Sequence, residues 1–399
     1  MKYDFTTVMD RKGRDAIAVD EIGGFGPGAP KEGFDPIPMW VADMNFPTCP
    51  AILHAVEERL HEAHFGYFRP RQEYYGAIIR WHRERNGVTD LTEEAIGYEN
   101  GVLGGVASAL RAIALPGDAV LLHSPAYIGF TGTLKAAGYR AVFSELKRDE
   151  AGVWRMDYGD MERKIRENRI HAVIFCSPHN PCGRVWEREE LLRALEIFRR
   201  NDCIVISDEI WSDILLDGHR HIPLQSVSED ARKRVIALYA PSKTFSLAGF
   251  VGSYHVIFDP YLRDRVRAAA EKTHYNSMNV LSMYALIGAL STEGMEWTDE
   301  LCRVLSENAD FAYRHIRENW EGVDLFRPEG TYMLYLDCSA WCRRNGKGIE
   351  ELLKAGWDVG CAWQDGRPFL LEDSIRVNLA SPSSRIREAF ERLDRFVFC

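Results

Sequence analysis

The sequence predicts an α/β protein: a large domain built on a mostly parallel sheet, followed by a smaller α+β domain. From about residue 50, helical stretches alternate with short apolar runs of strand length. After about residue 260 the pattern changes to long helical periods, followed by two further strand-like runs. With 399 residues, 46% hydrophobic and 27% charged, the chain has enough apolar material for a large core, and its composition is too ordinary for a long disordered segment.

The first 45 residues contain GGFGPGAPKEGFDPIP and read as an arm or loop. GGFGPG only imitates a dinucleotide fingerprint, because it follows no strand and opens no helix. A helix over 50–64 opens at Pro50, and one over 72–86 stops at Gly87. NGVLGGVASALRAI (100–113) reads as a glycine-opened helix. Strands are expected at 119–124, 140–145, 171–177, 203–207, 234–240 and 251–258, with helices at 126–137, ending at Gly138, and at 187–201, where EELLRALEIF has amphipathic spacing. Helices follow at 260–274, 278–291 and 296–320, then strands in GTYMLYLD (330–337) and SIRVNLA (374–380). There is no internal repeat and no long linker.

The 49 Lys+Arg against 59 Asp+Glu give a net charge of −10, which disfavours nucleic acid or an anionic membrane as the main partner and leaves a small-molecule site. MKYDFTTVMDRKGRD is charged where a signal peptide is apolar, and no apolar run has membrane-span length, so a cytoplasmic protein is expected. The nine cysteines contain no CxxC pair and read as reduced, buried small residues. Cys338 and Cys342 lack further ligands, and His219-Arg220-His221 reads as surface loop, so no metal is expected.

In an open α/β sheet a ligand sits beyond the carboxyl ends of the strands. AVIFC (172–176) ends in Ser177-Pro178-His179-Asn180-Pro181-Cys182-Gly183, IVIS (204–207) in Asp208-Glu209, and VIALYA (235–240) in Pro241-Ser242-Lys243. Singly these read as a turn residue, a helix cap and a loop charge. Together they bring an amide, a carboxylate and an amine to one crevice, and in this order they resemble the fold-type I pyridoxal-phosphate (PLP) enzymes of the aspartate aminotransferase superfamily.

That resemblance implies the PLP-dependent transferase fold: an arm (1–45) joining the small domain, a large domain (46–288) with a seven-stranded, mostly parallel sheet, and a small α+β domain (289–399). It implies pyridoxal 5'-phosphate as cofactor. Lys243 then condenses with the cofactor aldehyde and later removes the substrate α-proton. Asp208 keeps the pyridine nitrogen protonated, and Asn180 donates to the ring oxygen O3′. The amides of Val102 and Leu103 and the Ser242 hydroxyl are expected at the phosphate. Tyr127, in SPAYIGF, is expected to stack on the pyridine, and Arg376, in SIRVNLA, to bind the substrate α-carboxylate.

Further segments resemble the MalY/PatB group of cystathionine β-lyases and related C-S lyases: PMWVADMNF (38–46), FGYFRP (65–70), SPHNPCGRVW (177–186), SDEIWSD (207–213), APSKTFSLAG (240–249) and PEGTYMLYLD (328–337). In that group the FGY tyrosine reaches the cofactor phosphate of the neighbouring subunit, which implies a role for Tyr67 and an obligate homodimer. Phe250-Val251-Gly252 stands where many aminotransferases carry a phosphate-binding arginine, as in the lyase group. Trp211 replaces a usual His or Tyr near the cofactor, where its indole N–H remains a donor. Asn45, Ala240 and the stretch 361–385 also depart from the group pattern. The function implied is cleavage of cystathionine or other cysteine S-conjugates to pyruvate, ammonia and a thiol. The alternatives are an aminotransferase, which shares the chemistry up to the carbanion, and a regulatory role through contact with a transcription factor.

Overall fold

A computed structural model describes residues 1–24, 26–273 and 276–399. Its largest sheet has seven strands: β1 (Ile96–Asn100), β2 (Ala119–Ser124), β3 (Arg140–Glu145), β4 (Ala172–Cys176), β5 (Ile204–Asp208), β6 (Val235–Tyr239) and β7 (Gly252–Val256). They lie in the order β1-β7-β6-β5-β4-β2-β3. Each pairing from β6 to β3 is parallel, and β7 runs antiparallel to both of its neighbours. Cys176 lies opposite Asp208, and Asp208 opposite Leu238, so β4, β5 and β6 reach one edge of the sheet almost level. That register places the three chemistry-bearing turns side by side.

The central strands are buried on both faces, as helix-covered parallel strands require. Val120, Leu122, Ile174, Ile206 and Ile236 pack with Val106 and Leu110 of helix Val102–Ile113. The alternate residues Leu121, Val173, Phe175 and Val205 join a second cluster with Leu191 and Phe198 of helix Arg188–Arg200. The period-2 alternation of β structure thus divides one apolar run between two cores.

Six of these strands coincide with sequence expectations; β1, IGYEN, is the addition. Its mixed composition carries no strand signal, and it forms because β7 offers it a complete antiparallel register. Helices Gln72–Asn86 and Ile128–Ala137 stop at Gly87 and Gly138, whose φ of 69° and 79° are the left-handed values that suit glycine. Helix Thr292–Asn319 begins before the expected residue 296 because Ser291 caps Gly294 N. The helix expected over 260–274 spans Pro260–Glu271, and its last expected residue lies outside the described residues, as does Phe25 of GGFGPG.

A second sheet is built from β8 (Asp324–Leu325), β9 (Met333–Asp337), β10 (Gln364–Asp365) and β11 (Ser374–Asn378) in the antiparallel order β8-β9-β11-β10. The arm is not all loop: Ile17–Asp20 forms a helical turn, and Ile37–Pro38 pairs in parallel with Cys361–Ala362. Asn378 N then donates to Met39 O at 2.9 Å, which lays the following arm residues along β11.

Two expectations need correction. Cys399 is exposed and Cys302 half-buried, while the other seven cysteines are buried. His221 is no surface residue: it is buried with Nε2 2.6 Å from Glu209 Oε2, because a buried carboxylate one residue beyond β5 needs donors. Among the described residues no group of His, Cys, Asp and Glu is arranged to hold a metal, and no helix is long and apolar enough to cross a membrane.

Candidate active site

Lys243 sits in the turn after β6, and its neighbours hold it there. Thr244 Oγ1 donates to Asp213 Oδ2 at 3.2 Å, and Asp213 Oδ1 accepts from Trp81 Nε1 at 2.9 Å. Lys243 Nζ donates to Ala42 O at 2.8 Å and lies 5.8 Å from the centroid of the Trp211 ring. Burial pushes the amine down to about 8, with the Arg376 charge acting in the same direction and Asp43 and Asp208 opposing it.

Asp208 ends β5 and is 4% exposed. Its Oδ1 accepts from Ile210 N at 3.0 Å. Burial nonetheless pushes the carboxyl up to about 7, because that hydrogen bond and the Lys243 charge only partly offset desolvation. Behind it, Glu209 is fully buried and accepts from Ser207 Oγ (2.9 Å), Leu224 N (2.9 Å) and Tyr239 OH (2.6 Å), besides its contact with His221. This network fixes the backbone at the strand end.

Arg376, in β11, is 3% exposed and has no carboxylate partner among the described residues. Its Nη1 donates to Asn180 Oδ1 at 3.2 Å, and Nη2 donates to Trp40 O at 3.2 Å and to Gln364 Oε1. The guanidinium lies 4.5 Å from the Phe369 ring centroid, and Nε has no partner. Burial without a counter-charge pushes it down to about 10. A buried cation with an orphaned donor is strongly biased toward an incoming carboxylate. With Asn180 Oδ1 turned to the arginine, the Nδ2 group is the end left for a ligand.

Tyr127 precedes helix Ile128–Ala137, edge-on to Phe130 at 5.4 Å. Burial raises its phenol, and the charges of Arg376 and Asp208 both act on it, which places it beside the same crevice. Val102 and Leu103 open helix Val102–Ile113 after Gly101, whose φ is 75°; no side chain caps this end, and a Cβ at Gly101 would meet nothing within 4 Å. Free first-turn amides of this kind suit a phosphate. Ser242 is half-buried directly before the lysine.

Trp211 is 2% exposed, its ring edge-on to Tyr332 at 4.8 Å. It presents a ring face to Lys243. Tyr67 is not brought to the lysine in this chain: it is fully exposed within a wholly exposed stretch, 61–73. With Phe65, Phe68, Tyr74, Tyr75 and Tyr98 it lines an aromatic cavity of about 580 Å³.

These residues fit PLP: an enclosed amine, a buried carboxylate raised by desolvation, a buried guanidinium with an orphaned Nε, and an uncapped helix start. Residues 36–393 match the family described as aminotransferase class I and II. The chain belongs to that family. Within it, the chain is 33% identical over 362 residues to cystathionine beta-lyase PatB of Bacillus subtilis, covering 90% of this chain and 92% of PatB. It is 29% identical over 393 residues to protein MalY of Escherichia coli, covering 97% and 96%. Among solved structures, cystalysin of Treponema denticola, which contains a pyridoxal 5'-phosphate cofactor, superposes with a TM-score of 0.91 at 29% identity, covering 99% of this chain and 98% of cystalysin. The PLP-bound C-S lyase of Staphylococcus hominis gives 0.89 at 28% identity, with 99% and 98% covered. The match to these family members confirms the fold-type I architecture with its mostly parallel seven-stranded sheet.

Sequence reading missed several parts of the site: the carbonyls of Trp40 and Ala42, Gln364, Phe369, Tyr332 and the Glu209 network. PMWVADMNF stood out as a segment, but a backbone acceptor leaves no trace in residue type.

Proposed function

We propose that the protein is a PLP-dependent carbon-sulfur β-lyase that cleaves cystathionine or other cysteine S-conjugates to pyruvate, ammonia and a thiol, and that it works as a homodimer. The observation that carries the reading is the buried Lys243 amine, acted on by the charges of the buried Asp208 and of a buried Arg376 that has no carboxylate partner among the described residues, in a chain resembling PatB, a C-S lyase and cystalysin over nearly its whole length. The exposed aromatic stretch around Tyr67 supports the dimer, since Phe65 and Tyr67 are 57% and 109% exposed and need cover.

When bound, PLP supplies an electron sink for the electrons released at the substrate Cα. Arg376 holds the α-carboxylate through Nε and its Nη groups. Lys243 Nζ, unprotonated in a useful fraction near its pKa of about 8, takes the proton from Cα. Asp208 holds a proton on the pyridine nitrogen, Asn180 Nδ2 donates to O3′, and Tyr127 and Trp211 bound the ring. The Val102 and Leu103 amides and Ser242 Oγ hold the phosphate, joined by the Tyr67 hydroxyl of the other copy. Overall the Cα–H and Cβ–S bonds break, the sulfur leaves as a thiol, and one water is consumed as the remaining three carbons leave as pyruvate and the nitrogen as ammonia.

PLP-loaded protein mixed with L-cystathionine, without any keto acid, is expected to release pyruvate over many turnovers. Turnover that depends on an added keto acid would overturn the reading in favour of an aminotransferase. Arg376→Lys keeps the charge but loses the planar fork, so it is expected to raise KM at least about tenfold with a smaller change in kcat. An unchanged KM would remove Arg376 from carboxylate binding.

A further inference from the structure

Each group that holds the Arg376 guanidinium among the described residues is uncharged. In the small sheet Arg376 of β11 lies opposite Tyr335 of β9 on one side and Gln364 of β10 on the other. Nη2 donates to Gln364 Oε1 across that register, and also to Trp40 O at 3.2 Å. Nη1 donates to Asn180 Oδ1 at 3.2 Å, and the Phe369 ring centroid lies 4.5 Å from the guanidinium. A carboxylate stands one residue away and is kept out of this arrangement. Asp365 follows Gln364 in β10, lies opposite Ile375, and is paired with Arg367 at 2.8 Å. Successive strand residues face opposite sides of a sheet, so the pairing of β10 with β11 presents the amide to Arg376 and turns the acid away.

The choice of amide over carboxylate at position 364 decides the charge that a ligand meets. Glutamine and glutamate have nearly the same shape, and either offers an oxygen to Nη2. A glutamate would neutralise the buried cation and compete with an incoming carboxylate. The amide makes the hydrogen bond and leaves the positive charge in place, with Nε still without a partner. A buried cation without a counter-charge is costly, and that cost is relieved when a ligand brings the missing anion.

We propose that Gln364 is a positioning residue of the carboxylate receptor: its amide oxygen fixes Nη2 against β10 while leaving the Arg376 charge uncompensated, and so makes recognition depend on the ligand's α-carboxylate. Gln364 acts through Arg376 and takes no part in the bond-breaking steps. The assignment rests on the reading of Arg376 as receptor for the α-carboxylate, which a lyase and an aminotransferase share.

The test uses PLP-loaded protein and two ligands that differ in the carboxylate alone, α-aminoisobutyrate and isopropylamine. The first has no Cα–H bond, so its binding is read from the cofactor absorbance with neither elimination nor transamination running. Gln364→Glu is expected to weaken α-aminoisobutyrate at least about tenfold and to leave isopropylamine within about twofold. The cofactor-free form of this variant is expected to melt higher than wild type, because the buried cation has gained a counter-charge. Gln364→Ala keeps the charge and loses the tether, so it is expected to weaken α-aminoisobutyrate several-fold, again with isopropylamine unchanged, and to melt lower. Equal losses for both ligands in either variant would overturn the proposal, since a merely structural strand residue gives that result. So would unchanged α-aminoisobutyrate binding in Gln364→Glu, or a Gln364→Glu protein that melts no higher than wild type or fails to fold. Wild-type protein that bound both ligands equally would remove Arg376 as the receptor, and the proposal with it. Failure of the lyase reading shows separately, as no pyruvate from L-cystathionine, and leaves these binding measurements as they stand.

Discussion

Lys243→Ala is expected to lower pyruvate release from L-cystathionine by about 10³-fold or more, while the protein stays folded and still takes up PLP without a covalent link. The size follows from the chemistry of the amine: Nζ is buried, shifted toward its neutral form and acted on by the charges of Arg376 and Asp208, so it is the group poised to accept the proton from Cα. Folding does not depend on it, because its hydrogen bond to Ala42 O only offsets the burial of a group that favours its neutral form. Steady-state kinetics with and without added primary amines, together with cofactor stoichiometry, check this. Activity within tenfold of wild type would remove Lys243 from catalysis.

The same residue gives the unliganded protein a pH signature. The folded chain binds the Lys243 proton more weakly than the unfolded chain, with the amine pushed from 10.5 down to about 8. Between those values the unfolded state holds more protons, so the stability of the cofactor-free protein gains a term that grows as pH rises through this window. In Lys243→Ala that contribution disappears, and thermal melts of the two proteins across the window should converge at its upper end.

Much of the large sheet was legible in the sequence because parallel strands buried on both faces are near-continuous apolar runs, as in AVIFC and VIALY. β1 was not, since IGYEN becomes a strand only through pairing with β7, a contact across about 150 residues. That Asn180, Asp208 and Lys243 lie at one edge of the sheet was legible because each follows the end of an apolar strand run. Trp40 and Ala42 were not, because they act through backbone carbonyls that any residue supplies. His221 misled because local spacing shows a histidine's neighbours in sequence, while its partner, Glu209, is twelve residues away. Tyr67 sits outside the crevice of its own chain, fully exposed.

Asp208→Asn should separate catalytic from structural roles, because its two effects are expected to run in opposite directions. In the cofactor-free protein the carboxyl is pushed from 3.8 up to about 7 by burial. The folded chain thus holds this proton more tightly than the unfolded chain, and stability is lost as pH rises from about 4 to about 7 and the buried group is forced to ionise. A shift of that size corresponds to roughly 4 kcal/mol as an upper bound. Asparagine keeps an oxygen to accept from Ile210 N at 3.0 Å and removes the charge, so the cofactor-free variant should melt higher than wild type at pH 8. Activity should fall at least about 10²-fold, because a neutral amide cannot hold the proton on the pyridine nitrogen that the ionised carboxylate stabilises. PLP binding in turn favours the ionised Asp208, so wild-type affinity for PLP should carry a pH dependence near neutrality that the variant lacks. Differential scanning calorimetry of the cofactor-free forms and PLP titration at several pH values check both halves. A variant that melts lower and keeps near-normal turnover would show Asp208 to be no more than a cap on the turn after β5.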